Sequence, residues 1–343
     1  MSLENALLGA YAAGCRLAFA ACAVPAAPEG LRVLECAKTG TALHAALGAS
    51  LAGARALAVL AEPAQLPESS VTGGVAVLMP GAGEAYASLR EAFAASEAGD
   101  RPVALDPERD YAAQAETPEP RKYRKEPERF VLGSSREEMC AGCPYRGAYY
   151  AASKLWLRTI GDGGCSLLGA KRPFLALDAA WGRGTAAAAL AGFTAALPES
   201  LRDTAAVMGA EDAEADSLRL LGRTGGTLVL VGGGQETAEL CRACGLETLE
   251  LDANDLGGIE AALRTESAGA RALVLRGECA LQRRGGAARK YETDANRCRR
   301  CGACGKLGCP AISGRSPVID PAKCAGCGMC AAVCKCGAIR ERA

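Results

Sequence analysis

The chain has 343 residues, half of them hydrophobic, with 39 Lys and Arg against 39 Asp and Glu. That length holds two or three cores, and a formal charge of zero supplies no global field for nucleic acid or an anionic membrane. The uncharged apolar run 185–197 is too short to span a bilayer.

Residues 1–30 are apolar, but no basic segment leads them and Arg16 interrupts the run, so no signal peptide is expected. Residues 1–105 alternate helical and strand-like patterns: a helix over 5–19, a strand over 30–35, an Ala-rich helix over 41–53, and strands over 54–61 and 74–79. Short apolar runs separated by helices predict a parallel sheet with helices packed on it. Over 106–138 the character changes, with Pro107, Pro118, Pro120 and Pro127 among dense charges and only Phe130-Val131-Leu132 able to anchor the segment. That is expected to be a surface linker. A second α/β unit follows over 139–285, with strands expected at 174–177, 204–208, 227–231, 248–251 and 272–275.

Residues 286–343 form a small third unit around Cys298, Cys301, Cys304 and Cys309, then Cys324, Cys327, Cys330 and Cys334. Eight cysteines at paired spacing within 37 residues read as a ferredoxin domain with two [4Fe-4S] clusters. Three closely spaced thiolates serve one cubane and the fourth of each run reaches the other. On that rule Cys298, Cys301, Cys304 and Cys334 hold the first cluster, and Cys324, Cys327, Cys330 and Cys309 the second. Cys336 stands close by as a spare thiol or a substitute for Cys334. The endings Ala311-Ile312 and Ala338-Ile339 match, as duplicated half-domains would. From Arg283 onward thirteen Lys and Arg face four Asp and Glu. Those cations either offset the negative charge of the clusters or dock an acidic electron carrier. Eighteen cysteines with such motifs imply a reducing, cytoplasmic setting.

The middle unit carries Cys140-Ala-Gly-Cys143-Pro144, then Gly161-Asp162-Gly163-Gly164-Cys165, and a late Arg276-Gly-Glu-Cys279-Ala-Leu. A pair, a third thiol on a Gly-rich turn and a distant fourth can meet at one edge of a sheet. Ahead of a tandem ferredoxin, this order resembles the alpha subunit of indolepyruvate:ferredoxin oxidoreductase, of the thiamine-diphosphate-dependent 2-oxoacid:ferredoxin oxidoreductases. The likeness extends to Ala42-Leu43-His44 through Ala56-Leu57 and to Thr72-Gly73-Gly74, in a chain much shorter than the family norm. It implies two tandem α/β domains of thiamine-binding type, pyrimidine-type over 1–105 and diphosphate-type over 139–285. It also implies a third [4Fe-4S] at Cys140, Cys143, Cys165 and Cys279, a second oxidoreductase subunit, an oligomer, and a redox carrier such as ferredoxin.

The family's thiamine chemistry does not carry over. Its Asn-Glu-Lys aligns with Lys38-Thr39-Gly40, leaving Thr39 where the activating Glu belongs; Glu35 is four residues out of register. The Mg²⁺-binding Asp is Ala210, and Val231-Gly232 replaces the Asp-Asn that follows the next strand. Glu211, Asp212, Glu214 and Asp216 are read as a charged solvated loop, Gly161-Asp162-Gly163 as part of the cluster motif, and the lone His44 as a helix residue. Cys241-Arg-Ala-Cys244 is read as unreactive helix thiols, and Gly232-Gly233-Gly234 as a weak phosphate-loop signal. The expected function is therefore electron relay through iron–sulfur clusters with thiamine catalysis lost. The alternatives are an active arylpyruvate:ferredoxin oxidoreductase subunit and a zinc-binding structural module.

Overall fold

A computed structural model describes residues 2–68, 73–83, 86–108, 111, 130–131, 137–267, 269–282 and 289–342. Helix α1 (Ser2–Ala12) leads into β1 (Leu17–Ala20), β2 (Arg32–Glu35), α2 (Thr39–Leu51), β3 (Ala56–Val59), β4 (Val75–Leu78), α3 (Leu89–Gly99) and β5 (Val103–Leu105). These strands make a five-stranded parallel sheet in the order β2-β1-β3-β4-β5.

One expectation fails here. The apolar run 5–19 is not one helix: α1 stops at Ala12, Gly14 turns the chain at φ 81°, and Leu17–Ala20 becomes a fully buried strand between β2 and β3. An apolar run without alternation cannot by itself distinguish a buried strand from a buried helix.

The second sheet is built from β6 (Phe130–Val131), α4 (Tyr145–Leu155), β7 (Arg158–Gly161), β8 (Ala179–Ala180), α5 (Ala186–Ala196), β9 (Thr204–Gly209), α6 (Ala215–Thr224), β10 (Gly226–Val231), α7 (Gln235–Ala243), β11 (Glu247–Asp252), α8 (Leu256–Arg264) and β12 (Ala270–Arg276). All seven strands run parallel in the order β11-β12-β10-β9-β7-β8-β6. Four of the five expected strands are present. The fifth, over 174–177, is irregular chain: Leu175 sits at φ 48°, outside the strand region, and β8 begins only at Ala179. Strand β7 lies inside the sheet, where the sequence suggested only a turn. Most of 106–138 lies outside the described residues, although Phe130 and Val131 do anchor it by pairing with Ala179 and Ala180.

Side chains alternate along the strands and divide the core into faces. In β10, Leu228 and Leu230 point toward the first sheet, while Val229 and Val231 point away from it. Between the sheets lie α2 and α5, which are apolar on nearly every side because each is covered on every side. They touch backbone to backbone. A Cβ on Gly48 would sit 1.8 Å from the carbonyl of Ala189, and one on Gly192 1.8 Å from that of Ala45. Only glycine at both positions permits that crossing.

The tail comprises β13 (Tyr291–Thr293), β14 (Ile312–Ser313), β15 (Val318–Ile319), α9 (Met329–Ala332) and β16 (Ile339–Glu341), arranged as antiparallel pairs β13-β16 and β14-β15. Its two halves repeat one another in detail. Asp294 N donates to Ala338 O and Asp320 N to Ala311 O, both at 2.8 Å, and each Asp carbonyl accepts the amide of the first cysteine in its run, Cys298 or Cys324. Leu256, Ala141 and Tyr150 of the body pack into the tail's core beside Leu307, Ile319 and Met329.

Candidate functional site

Burial and charge sort the tail cysteines into two sets. Cys309, Cys324, Cys327 and Cys330 ring one mostly apolar cavity and act on one another electrostatically. Desolvation pushes Cys330 up to about 12 and raises Cys309 as well. Cys309 and Cys330, turned into an apolar space, hold their protons when bare. They suit a group whose metal supplies the positive charge that ionises them. The other set is more open. Cys298, Cys304 and Cys334 share an electrostatic neighbourhood, and Cys301 is exposed. Backbone amides support these sulfurs, Ala338 N at 3.3 Å from Cys334 Sγ and Arg300 N at 3.4 Å from Cys298 Sγ. Cys336 Sγ is 3.7 Å from Cys334 Sγ.

In the body, Cys140 and Cys165 both come within electrostatic reach of Cys143. The loop of Cys279 folds over them: a Cβ on Gly277 would stand 3.0 Å from Pro144, and one on Gly142 would touch Ala280 at 3.9 Å and clash with Ala325 of the tail at 2.6 Å. The Cys140–Cys143 turn, the loop that carries Cys279 and the Cys324 end of the tail therefore adjoin along one seam. Among the described residues no group of three or more His, Cys, Asp or Glu is placed to hold a single metal ion. A zinc ion with bonds of about 2.3 Å draws its sulfurs tightly together, whereas an iron–sulfur cubane bridges thiolates through its own irons and sulfides.

The remaining thiols are of another kind. Burial pushes Cys15 and Cys36 up to about 12 and Cys241 to about 11, and raises Cys244, whose sulfur donates to Ala215 O. None of them has a setting that would favour a thiolate. His44 bonds Gly40 O through Nδ1 at 2.7 Å, one turn back along α2, and burial holds its imidazole below its ordinary range.

Where a thiamine enzyme would hold its cofactor, the polar groups serve one another. Asp216, at the start of α6, accepts from the backbone amides of Ala37 and Lys38 at 2.8 and 2.9 Å. Lys38 pairs with Glu214 at 2.8 Å, and Arg223 donates to Glu35 O. Arg183 binds Asp212 at 3.1 Å and Glu211 at 3.4 Å. Thr39, Ala210 and Gly232 offer nothing in place of the missing carboxylate and amide. A Cβ on Gly233 would stand 3.2 Å from Ala210 Cβ, so that corner is closed with small residues. Asp162 is fully buried, and its carboxylate accepts from the amides of Gly184 and Thr185 at the start of α5, both at 2.9 Å. Desolvation raises its pKa against those amide bonds, and its role is to cap a helix. These residues do not fit thiamine diphosphate with Mg²⁺, whose phosphates need cationic neutralisation.

Sequence reasoning passed over Arg146 and Arg183, and it read Asp216 as part of a solvated loop although that side chain holds the amides of Ala37 and Lys38. Only Arg146 left a signal, an arginine in the first turn of the helix opened by Cys143-Pro144.

A 4Fe-4S binding domain model matches residues 317–340. The chain is 30% identical over 247 residues to indolepyruvate oxidoreductase subunit IorA of Methanothermobacter marburgensis, covering 59% of this chain and 39% of that protein. It is 28% identical over 246 residues to the subunit of the same name from Methanothermobacter thermautotrophicus, with the same shares. Among solved structures, it is similar to the thiamine diphosphate-dependent 4-hydroxybenzoylformate decarboxylase of Rhodococcus jostii RHA1 (TM-score 0.33, 11% identity, 80% of this chain and 63% of that one). The benzoylformate decarboxylase of Polynucleobacter necessarius gives a TM-score of 0.32 at 10% identity, over 79% and 64%. Scores this low carry no weight, and the fold class rests on strand order and register. The chain thus carries a matched 4Fe-4S binding domain, and its curated relatives liken it to the subunits of an oxidoreductase. The particular likeness is to the IorA subunit of indolepyruvate oxidoreductase, as the order of its cysteine motifs indicates. The chain spans about two fifths of the length of those relatives. No helix among the described residues is long and apolar enough to cross a membrane.

Proposed function

We propose that the chain relays electrons through three [4Fe-4S] clusters and no longer performs thiamine catalysis. The inner tail set (Cys309, Cys324, Cys327, Cys330) and the outer set (Cys298, Cys301, Cys304, Cys334) hold two clusters, and Cys140, Cys143, Cys165 and Cys279 hold the third in the body. Each cluster, when bound, takes up or gives up one electron.

The observation that carries the loss of thiamine is the bonding of Asp216 and Glu214 to Ala37 and Lys38. The side that would present a catalytic carboxylate is fastened to the side that would present a metal. Every acid of the 211–216 loop is engaged by a partner within the protein, so the loop has no free carboxylate for Mg²⁺.

The gradient of burial gives the relay its direction in space. The body set lies at the seam, the inner tail set is mostly enclosed, and the outer set includes the exposed Cys301. Around the outer set stand the exposed Arg297, Arg299, Arg300, Lys306 and Lys335. That end suits a small acidic electron carrier of ferredoxin type, approached by charge attraction at low salt. A second oxidoreductase subunit would supply or accept electrons at the body, in an oligomer in a reducing cytoplasm.

Anaerobic purification with iron, sulfide and thiamine quantified together tests this. The expected result is about twelve irons and twelve sulfides per chain, for three cubanes, with no thiamine. Tight Mg²⁺-dependent thiamine binding would restore the reading as an active arylpyruvate oxidoreductase subunit, and zinc without sulfide would make the chain a structural module.

A further inference from the structure

Arg146, in the first turn of α4, is 1% exposed. Its Nη2 donates to Met139 O at 3.0 Å and Cys140 O at 2.7 Å, its Nη1 donates to Leu307 O, and its Nε is buried without an acceptor. Two of these carbonyls belong to the body and one to the tail, so a single guanidinium spans the seam between them. All three are neutral. Among the described residues no carboxylate pairs with Arg146.

A guanidinium cannot shed its proton in a protein. Burying its charge against carbonyls alone leaves a desolvation cost that dipoles offset only in part. The position therefore calls for an anion, and two sets of thiols flank it. Arg146 holds the carbonyl of Cys140, follows Cys143 by three residues, and lines the cavity ringed by Cys309, Cys324, Cys327 and Cys330. Cys143 on one side and Cys309 on the other both lie within electrostatic reach of its charge.

We propose that Arg146 is the shared counter-cation of the body cluster and the inner tail cluster, a positioning residue that fixes these two sites relative to one another and eases reduction of both. The proposal rests on the three-cluster reading above. A cubane held by four thiolates is anionic and gains a further negative charge on reduction. A fixed cation between two such sites stabilises each reduced state, and net charge is one of the determinants of cluster potential. The fork adds what a point charge cannot, a fixed set of donors that joins carbonyls from both sides. The outer tail set lies beyond this arrangement, with exposed cations of its own. Arg300, whose amide reaches Cys298 Sγ, is one of them.

The test is an EPR-monitored redox titration of the anaerobic holoprotein, with iron and sulfide counted for each sample, on wild type, Arg146→Gln, Arg146→Lys and Arg300→Gln. For Arg146→Gln at full iron, two of the three clusters become harder to reduce by about tenfold each, which is ~59 mV for a one-electron couple. Arg146→Lys recovers most of that shift but melts at a lower temperature, because it cannot bridge three carbonyls. Arg300→Gln moves only the third cluster. At full iron, a shift confined to one cluster or none in Arg146→Gln overturns the proposal, as does Arg300→Gln moving the same pair. If Arg146→Gln fails to assemble, Arg146→Lys decides: near wild-type potentials support the role of the charge, and tenfold shifts overturn it. Wild type with only about eight irons removes the third cluster itself, a failure distinct from unmoved potentials at about twelve.

Discussion

Two regions of this chain face the same physical demand and meet it in opposite ways. The seam between body and tail gathers four cysteines around an apolar cavity and a cation, Arg146, that among the described residues bonds neutral carbonyls only. The cleft between the two sheets gathers as many charged groups, yet each is answered nearby, Asp216 by two amides, Glu214 by Lys38, and Glu211 and Asp212 by Arg183. Polar groups left incomplete mark a site awaiting a ligand, and polar groups satisfied among themselves mark a site that has closed. A count of charged residues does not separate the two; their partners do.

The comparison can be broken most severely at the helix crossing that holds the cleft shut. Gly192→Ala drives a methyl group to within 1.8 Å of the Ala45 carbonyl. It is expected to cost about 3 kcal/mol or more, seen as a lower denaturation midpoint; a midpoint unchanged from wild type would show that α2 and α5 can separate freely. Next in size, Cys327→Ala removes an inner ligand, and about a third of the iron and its EPR signal should go while the outer cluster persists. Asp216→Ala strips two backbone amides of their acceptor and should cost about 1–2 kcal/mol, measured by thermal melting, with the visible cluster spectrum unchanged. If the spectrum changes too, cleft and seam are coupled and the contrast drawn here is wrong. The smallest effect is expected for Cys336→Ala, with iron content and all potentials as in wild type, whereas Cys334→Ala depletes the outer cluster. A reversed pair of results would reassign the ligand.

Much of this was legible in the sequence, and what was missed has physical causes. The tail announces itself because cluster ligation fixes cysteine spacing directly, and the parallel strands over 204–275 show as apolar runs bounded by glycine. Strand β7 escaped notice because Arg158-Thr-Ile-Gly161 is short and merges into the Gly-rich turn carrying Asp162. The run 174–177 misled because Phe174 and Leu177 are buried as irregular chain, and burial alone imitates a strand. Thr39, Ala210 and Gly232 could be read as departures from the resembled family's thiamine ligands, but the bonding of the acids around them could not. The bonds from Asp216 to Ala37 and Lys38 join residues 179 and 178 positions apart, and pairing at that range is a property of the fold. Arg146 was visible as a letter, but its lack of a charged partner was not.

The repeat within the tail has a practical consequence. Its halves share a backbone design, yet one presents Cys324 and Cys330 to the interior while the other leaves Cys301 in solvent. On the proposed assignment of clusters, the outer one is expected to meet oxygen first in air and to act as a fuse. Bleaching should proceed in two stages, a fast loss sparing the shielded centres and a slow one that consumes them, so that a briefly exposed sample keeps its inner wiring while losing its terminal.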